Sequence, residues 1–149
     1  MTKEYIPFSK ATDRVIAVDF DNTLAFNGFP DITKAIPNRT LMKMLRRAQN
    51  LGYSLILWTC REDYGGKFFD NAHSLTEAVS FCRKYGLFFN AINHGNVESA
   101  GDYENKLVSR KVPAQIYIDD AALPFLFRKS PLLMKVQWWF WAKVFWLML

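Results

Sequence analysis

Four consecutive apolar residues, Val15 to Val18, run straight into two carboxylates, Asp19 and Asp21, with only Phe20 between them. A short uninterrupted apolar run is the pattern of a strand buried on both faces, as strands in a parallel sheet are. If the extended backbone continues, alternation sends Asp19 and Asp21 to one side and Phe20 to the other. Two carboxylates held side by side repel each other unless a cation lies between them. The stretch VIAVDFDNTLA (residues 15–25) therefore predicts a buried strand that ends in a cation site.

The same kind of apolar run recurs along the chain. Strands are expected at Arg14–Asp19, Ser54–Thr59, Leu87–Asn93 and Gln115–Asp120. Between the first two, AFNGFPDITKAIPN carries the Gly, Pro and Asn of a loop. From Thr40 to Asn50, Leu41, Met44, Leu45 and Ala48 fall at helical intervals, and Gly52 stands where a left-handed cap belongs. Ser74-Leu75-Thr76-Glu77 has capping-box spacing ahead of Ala78, Val79 and Cys82, and Gly86 is the stop. Strands alternating with helices predict an α/β domain, a doubly wound parallel sheet with crossover helices. With 149 residues, half of them apolar, the chain supports one ordinary core.

The charge and the cysteines narrow the setting. A net charge of +5 suits an anionic ligand such as a phosphate. The basic residues are scattered apart from Arg46-Arg47 and Arg110-Lys111, so nucleic acid is not an expected partner. The polar N-terminus has no signal-peptide core, and Cys60 and Cys82 both fall in apolar-patterned elements, where Cys60 reads as a small core residue. A reducing, cytoplasmic location is the expectation.

In parallel sheets ligands bind beyond the carboxyl ends of the strands, where Asp19, Thr59 and the Asp119-Asp120 pair all fall. An oxygen-rich cluster of Asp19, Asp21, Asp119 and Asp120, with no His or Cys, suits a hard ion such as Mg²⁺. Taken singly, each group has an ordinary structural reading: Asp-x-Asp as a turn, Thr59 as a strand terminus, Lys111 as a solvated charge with Lys106 as its rival, Asp119-Asp120 as another turn. Together, in this order and at successive strand ends, they point to a site. Arg61 and Glu62 lie where a substrate group could reach them, or form a surface ion pair. His94 reads as a loop histidine.

Asp19, Asp21 and Thr23, then Thr59, then Lys111, then Asp119 with Asp120, follow the order of the haloacid dehalogenase (HAD) superfamily of phosphohydrolases. LGYSLILWTCRE, EAVSFCRKYGLFFNAIN and SRKVPAQIYIDD also resemble its small capless bacterial and phage members, over roughly residues 13–122. A two-component receiver domain uses a similar kit in a different order. The resemblance implies a Mg²⁺-dependent phosphatase acting through an aspartyl-phosphate. Asp19 would be the nucleophile and Asp21 the general acid and base. Thr59, Lys111 and Asn22 would contact the phosphoryl group, and Arg61 and Thr23 are candidate substrate contacts. The ion would be held by Asp19, Asp119, Asp120 and the backbone carbonyl of Asp21. No room is left for a cap domain between Asp21 and Thr59 or between Thr59 and Lys111, and the loop from Phe26 to Ile36 is the candidate flap. An open site fits a phosphorylated small molecule or macromolecule, or closure by a second copy of the chain. The alternatives are a catalytically silent binding module and a nucleotidase or polynucleotide phosphatase.

Residues 1–130 form the expected hydrolase domain, and residues 131–149 stand apart. PLLMKVQWWFWAKVFWLML holds four of the five tryptophans, with Lys135, Gln137 and Lys143 as its polar interruptions. It follows AALPFLFRKS, where the family usually has a basic residue and a glycine-containing loop after the acidic pair. A lysine near the centre of a membrane span costs roughly 3 kcal/mol. The tail therefore reads either as an interfacial helix on a membrane surface or as a terminal helix packed on the sheet or a subunit.

Overall fold

A computed structural model of the chain describes residues 14–63, 73–93, 114–122 and 131–148. Among these residues one parallel sheet contains β1 (Val15–Val18), β4 (Ser54–Leu57), β5 (Ala91–Ile92) and β6 (Ile116–Ile118), in the order β5-β4-β1-β6. β1 is an inner strand. It pairs Val15 with Ser54 and Val18 with Leu57 on one side, and Ile16 with Ile116 and Val18 with Ile118 on the other. All four residues of β1 and all four of β4 are buried, which explains the apolar runs at residues 15–18 and 55–57. The chain moves outward from β1 through β4 to β5, then returns to the opposite side of β1 for β6. The gap between β1 and β6 is thus a topological switch point.

The expected strand at Leu87–Asn93 narrows to Ala91–Ile92. Leu55 N–H donates to the side-chain oxygen of Asn90 (2.9 Å), and Asn90 N–H donates to Leu55 O (2.8 Å). An amide side chain thus replaces a carbonyl of the ladder, and the strand register starts at Ala91. The loop after β1 is more ordered than its composition implied. β2 (Ala25–Phe26) and β3 (Ile36–Pro37) pair antiparallel, and a 3₁₀ turn at Ile32–Lys34 lies between them.

Helix α1 (Arg39–Asn50) buries Leu41, Met42, Met44, Leu45 and Ala48. Asn38 caps it by accepting from Leu41 N–H (3.3 Å), and Gly52 after its end has φ +89° with open space around it. Helix α2 (Ser74–Lys84) departs from the capping-box expectation. The N-cap is His73, which makes no side-chain cap bond, and Ser74 is already helical. Asp63, from the loop after β4, accepts from Leu75 N–H (2.9 Å) and Thr76 N–H (3.0 Å) instead. Capping from a distant loop satisfies the same orphan donors as a local Ser would, and local spacing cannot reveal it.

Helix α3 (Pro131–Met148) is built into the core. Met134, Trp138 and Ala142 are buried at four-residue intervals, in one cluster with Ile16, Val18, Leu55, Leu57 and Ile118 of the sheet and with residues of α1 and α2. The guanidinium of Arg47 lies 4.4 Å above the Trp146 ring. The opposite side of α3 leaves Leu132, Val136, Trp139, Phe140 and Leu147 exposed. No described helix is long and apolar enough to cross a membrane. Cys60 corrects the sequence expectation: it is exposed, one residue past Thr59, and only Cys82 is a core thiol, its pKa pushed up to about 12 by burial.

Candidate functional site

The site grows from the end of β1. Asp19 N–H donates to Ile118 O (2.8 Å), the last rung toward β6, and Trp58 N–H donates to Val18 O (2.8 Å), the last rung toward β4. Asp19 therefore sits between the residues that follow β6, Asp119 and Asp120, and the residue that follows Trp58, Thr59. After Asp19 the chain turns tightly. The N–H groups of Leu24 and Ala25 both donate to Phe20 O (2.9 Å each), and Asn22 adopts a left-handed conformation, φ +58°. Asn is one of the few non-glycine residues that take this region readily. Phe20 points into the core and is fully buried, edge-on to Phe81 at 5.7 Å.

One oxygen from each of Asp19, Asp119 and Asp120 lies within 4.8 Å of the others. Thr23, fully buried, joins the two strand ends: its hydroxyl donates to Asp19 Oδ2 (3.2 Å) and accepts from Asp120 N–H (3.0 Å). The Asn22 amide donates to Asp120 Oδ2 (3.3 Å). The pKa of Asp19 is pushed up to about 8, chiefly by burial, with repulsion from Asp119, Asp120 and Asp21 adding and a bond from Phe20 N–H opposing. Asp120 is also raised, mainly by burial, while the Asn22 amide opposes the shift. Three acidic groups crowded at partial burial form an all-oxygen donor set, the kind a hard divalent ion compensates.

The Asp21 carboxylate, expected beside Asp19 in the oxygen-rich cluster, is turned to Arg61. Its oxygens accept from Arg61 Nε and Nη2, both at 2.8 Å, in a bidentate pair. Arg61, expected at the substrate or in a surface ion pair, is completely buried. Its Nη2 also donates to Gly28 O (2.6 Å), its Nη1 donates to Ser74 Oγ (3.1 Å), and its guanidinium lies 4.9 Å above the Phe20 ring. A planar group with five donors can satisfy a carboxylate, a carbonyl and a hydroxyl at once, which is why it is tolerated inside. Arg61 thereby locks together the loop after β1, the ribbon loop at Gly28 and the start of α2.

Thr59 is partly buried and preset. Its N–H donates to Asn93 Oδ1 (2.8 Å), and its hydroxyl accepts from Arg61 N–H (3.3 Å). The backbone N–H groups of Thr59 and Arg61 are therefore committed, while the Thr59 hydroxyl keeps a proton able to meet an anion. Lys111, its rival Lys106, and His94 lie outside the described residues. The sequence reading missed Asn38 and Trp138. Asn38 N–H donates to Leu24 O (2.8 Å) and its amide donates to Thr23 O (2.9 Å), while Trp138 Nε1–H donates to Asn22 O (2.9 Å). Both hold the backbone of the acidic loop from distant elements. Asn38 carried a signal as a polar residue just ahead of a helical period, and Trp138 carried none.

Fold and site define an α/β protein whose acidic cluster lies at the switch point of a parallel sheet. No family model and no curated protein matches the chain. Among solved structures it is similar to a conserved protein coded by a locus of Bacteroides thetaiotaomicron, at 32% identity over 78% of this chain and 88% of that one, with a TM-score of 0.54. The chain belongs to the same family as that Bacteroides protein.

Proposed function

We propose that the protein is a HAD-type phosphohydrolase that cleaves phosphomonoesters with the help of Mg²⁺. The observation that carries the proposal is the convergence of Asp19 with Asp119 and Asp120 from adjacent strand ends. Asp19, Asp119 and Asp120 would hold the ion, together with the backbone carbonyl of Asp21. When bound, the ion neutralises charge on the phosphoryl oxygens.

The residues of the chain do the rest. Thr23 holds Asp19 in place through Oδ2, and the Asp19 carboxylate attacks phosphorus in line. The bond to the leaving oxygen breaks as the bond from Asp19 forms, giving an aspartyl-phosphate. Asp21 delivers a proton to the leaving oxygen and then takes one from the water that releases phosphate. Two of its four lone-pair sites accept from Arg61, and the side chain keeps 21% exposure, so the group stays aimed and within reach of a proton. The Thr59 hydroxyl and Lys111 steady the phosphoryl oxygens, and the β2–β3 ribbon serves as the short flap of a capless site.

The test is turnover of an aryl phosphate by the purified full chain with Mg²⁺, with EDTA, and in Asp19→Asn. Mg²⁺-dependent turnover lost in the variant supports the proposal, and undiminished turnover in Asp19→Asn refutes the nucleophile. A catalytically silent phosphate-binding module is the second reading. It is favoured by the Asp21–Arg61 pair, which engages both oxygens of the group assigned to proton transfer. Mg²⁺-dependent phosphate binding without turnover would select it.

A further inference from the structure

A cavity of about 430 Å³ opens between β6 and α3, lined by Tyr117, Ile118, Asp119, Trp138, Trp141 and Phe145. Its volume falls within the range of roughly 300–1,000 Å³ typical of small-molecule sites. Asp119 belongs to both the cavity wall and the acidic cluster, so the two adjoin. The aromatic wall is also tied to the acidic loop: Trp138 donates to Asn22 O, and the Asn22 amide donates to Asp120. The rings come from α3: Trp138, Trp141 and Phe145. Trp141 is accessible from solvent at 39% exposure and packs against Phe145 at 6.3 Å. Polar groups on the wall are few, with Asp119 at one end and Gln137 beside the rings. Walls of this kind recognise a flat apolar group whose polar end faces the cluster.

We infer that this cavity receives the leaving group, and that the preferred substrates are small phosphomonoesters whose alcohol carries an aromatic ring. This rests on the phosphohydrolase reading: the phosphoryl group lies at Asp19 and the ring extends past Asp119 along the rings of α3. The ring takes no part in the chemistry and departs with the alcohol.

The test compares 2-(2-naphthyl)ethyl phosphate with n-propyl phosphate, using the full chain with Mg²⁺. Both release primary alkoxides, so their intrinsic reactivities match and the difference in kcat/KM reports the ring. An advantage of about tenfold for the naphthyl ester, carried mainly by KM, is expected from ring stacking. Trp141→Ala and Phe145→Ala should each lower that ratio, a quantity that does not depend on the fraction of protein folded. Equal kcat/KM for the two esters in the wild type would overturn the cavity assignment while leaving the hydrolase reading standing. If neither ester is cleaved, calorimetric titration with the corresponding phosphonates separates the two claims. Binding of the naphthyl phosphonate tighter than that of the propyl, and weakened in Trp141→Ala, supports the cavity although the hydrolase reading has failed. Equal or absent binding overturns both.

Discussion

At the scale of single residues, Asp19 and Arg61 show how burial sets the role of a charge. Asp19 is raised from 3.8 to about 8, so between those values the folded apoprotein holds a proton that the unfolded chain has released. Stability therefore falls as pH rises through that window, because the unfolded state binds fewer protons. In EDTA the melting temperature of the wild type should drop across the window, and that of Asp19→Asn should drop less, as scanning calorimetry would show. Mg²⁺ should displace the same proton, so its affinity should climb with pH up to about 8 and be lost in Asp19→Asn. On the proposed phosphohydrolase reading, Asp19→Asn should also cut turnover by at least ~10³-fold. Arg61→Met, which strands Asp21 without its partner, should cost about 2–4 kcal/mol in urea denaturation, the lower end reflecting the partial exposure of Asp21. A cycle with Asp21→Asn should give a coupling well above the few tenths expected for independent sites.

At the scale of elements, periodicity located α1 and three of the four sheet strands closely, because those segments bury a regular set of side chains whatever surrounds them. It failed where one segment completes another. Ser74 looked like the cap of α2, yet Asp63 caps it from eleven residues before the helix, and Ser74 serves Arg61 instead. Asp63→Ala should therefore lower stability by about 1 kcal/mol, as loss of an N-cap does. The effect should shrink in acid. Slight desolvation works against ionising Asp63, but bonds from Thr76 and Leu75 outweigh it and hold its pKa below 3.8. A depressed carboxylate contributes stability above its unfolded value and loses it as pH falls through the folded one. Equal acid sensitivity of wild type and Asp63→Ala in denaturant melts would contradict the capping role. The strand at Ala91–Ile92 is short for a related reason, since Asn90 substitutes a side chain for the ladder and composition does not distinguish that Asn from a strand residue.

For the whole molecule, α3 links the core to the site. Trp138 is buried against the sheet and bonds Asn22 in the acidic loop, so Trp138→Ala should cost about 3–5 kcal/mol and weaken Mg²⁺ binding as well. Trp138→Phe, which mainly removes the hydrogen bond, should cost about 1 kcal/mol. Leu147→Ala, at 85% exposure, should change stability by less than about 0.5 kcal/mol. The three values come from equilibrium unfolding monitored by fluorescence, and a large effect at Leu147 would mean that the outer face of α3 is covered. From the sequence, residues 131–149 read equally as an interfacial helix or as a packed terminal helix, because core-facing and outward-facing positions are both apolar, which erases the amphipathic signal that tells a packed helix from an exposed one.

By itself, the sequence determined the alternation of buried strands and helices and the placement of Asp19, Thr59 and Asp119 at strand ends. Those features follow from local periodicity and chain order. Only the tertiary structure decided that β6 lies directly beside β1, that Asp21 faces Arg61 and leaves the acidic cluster to the others, and that α3 closes an aromatic cavity next to Asp119. Each of these depends on groups tens of residues apart meeting in space, and the energy that selects such meetings comes from shared burial and mutual hydrogen bonding. Neither is encoded in any one segment.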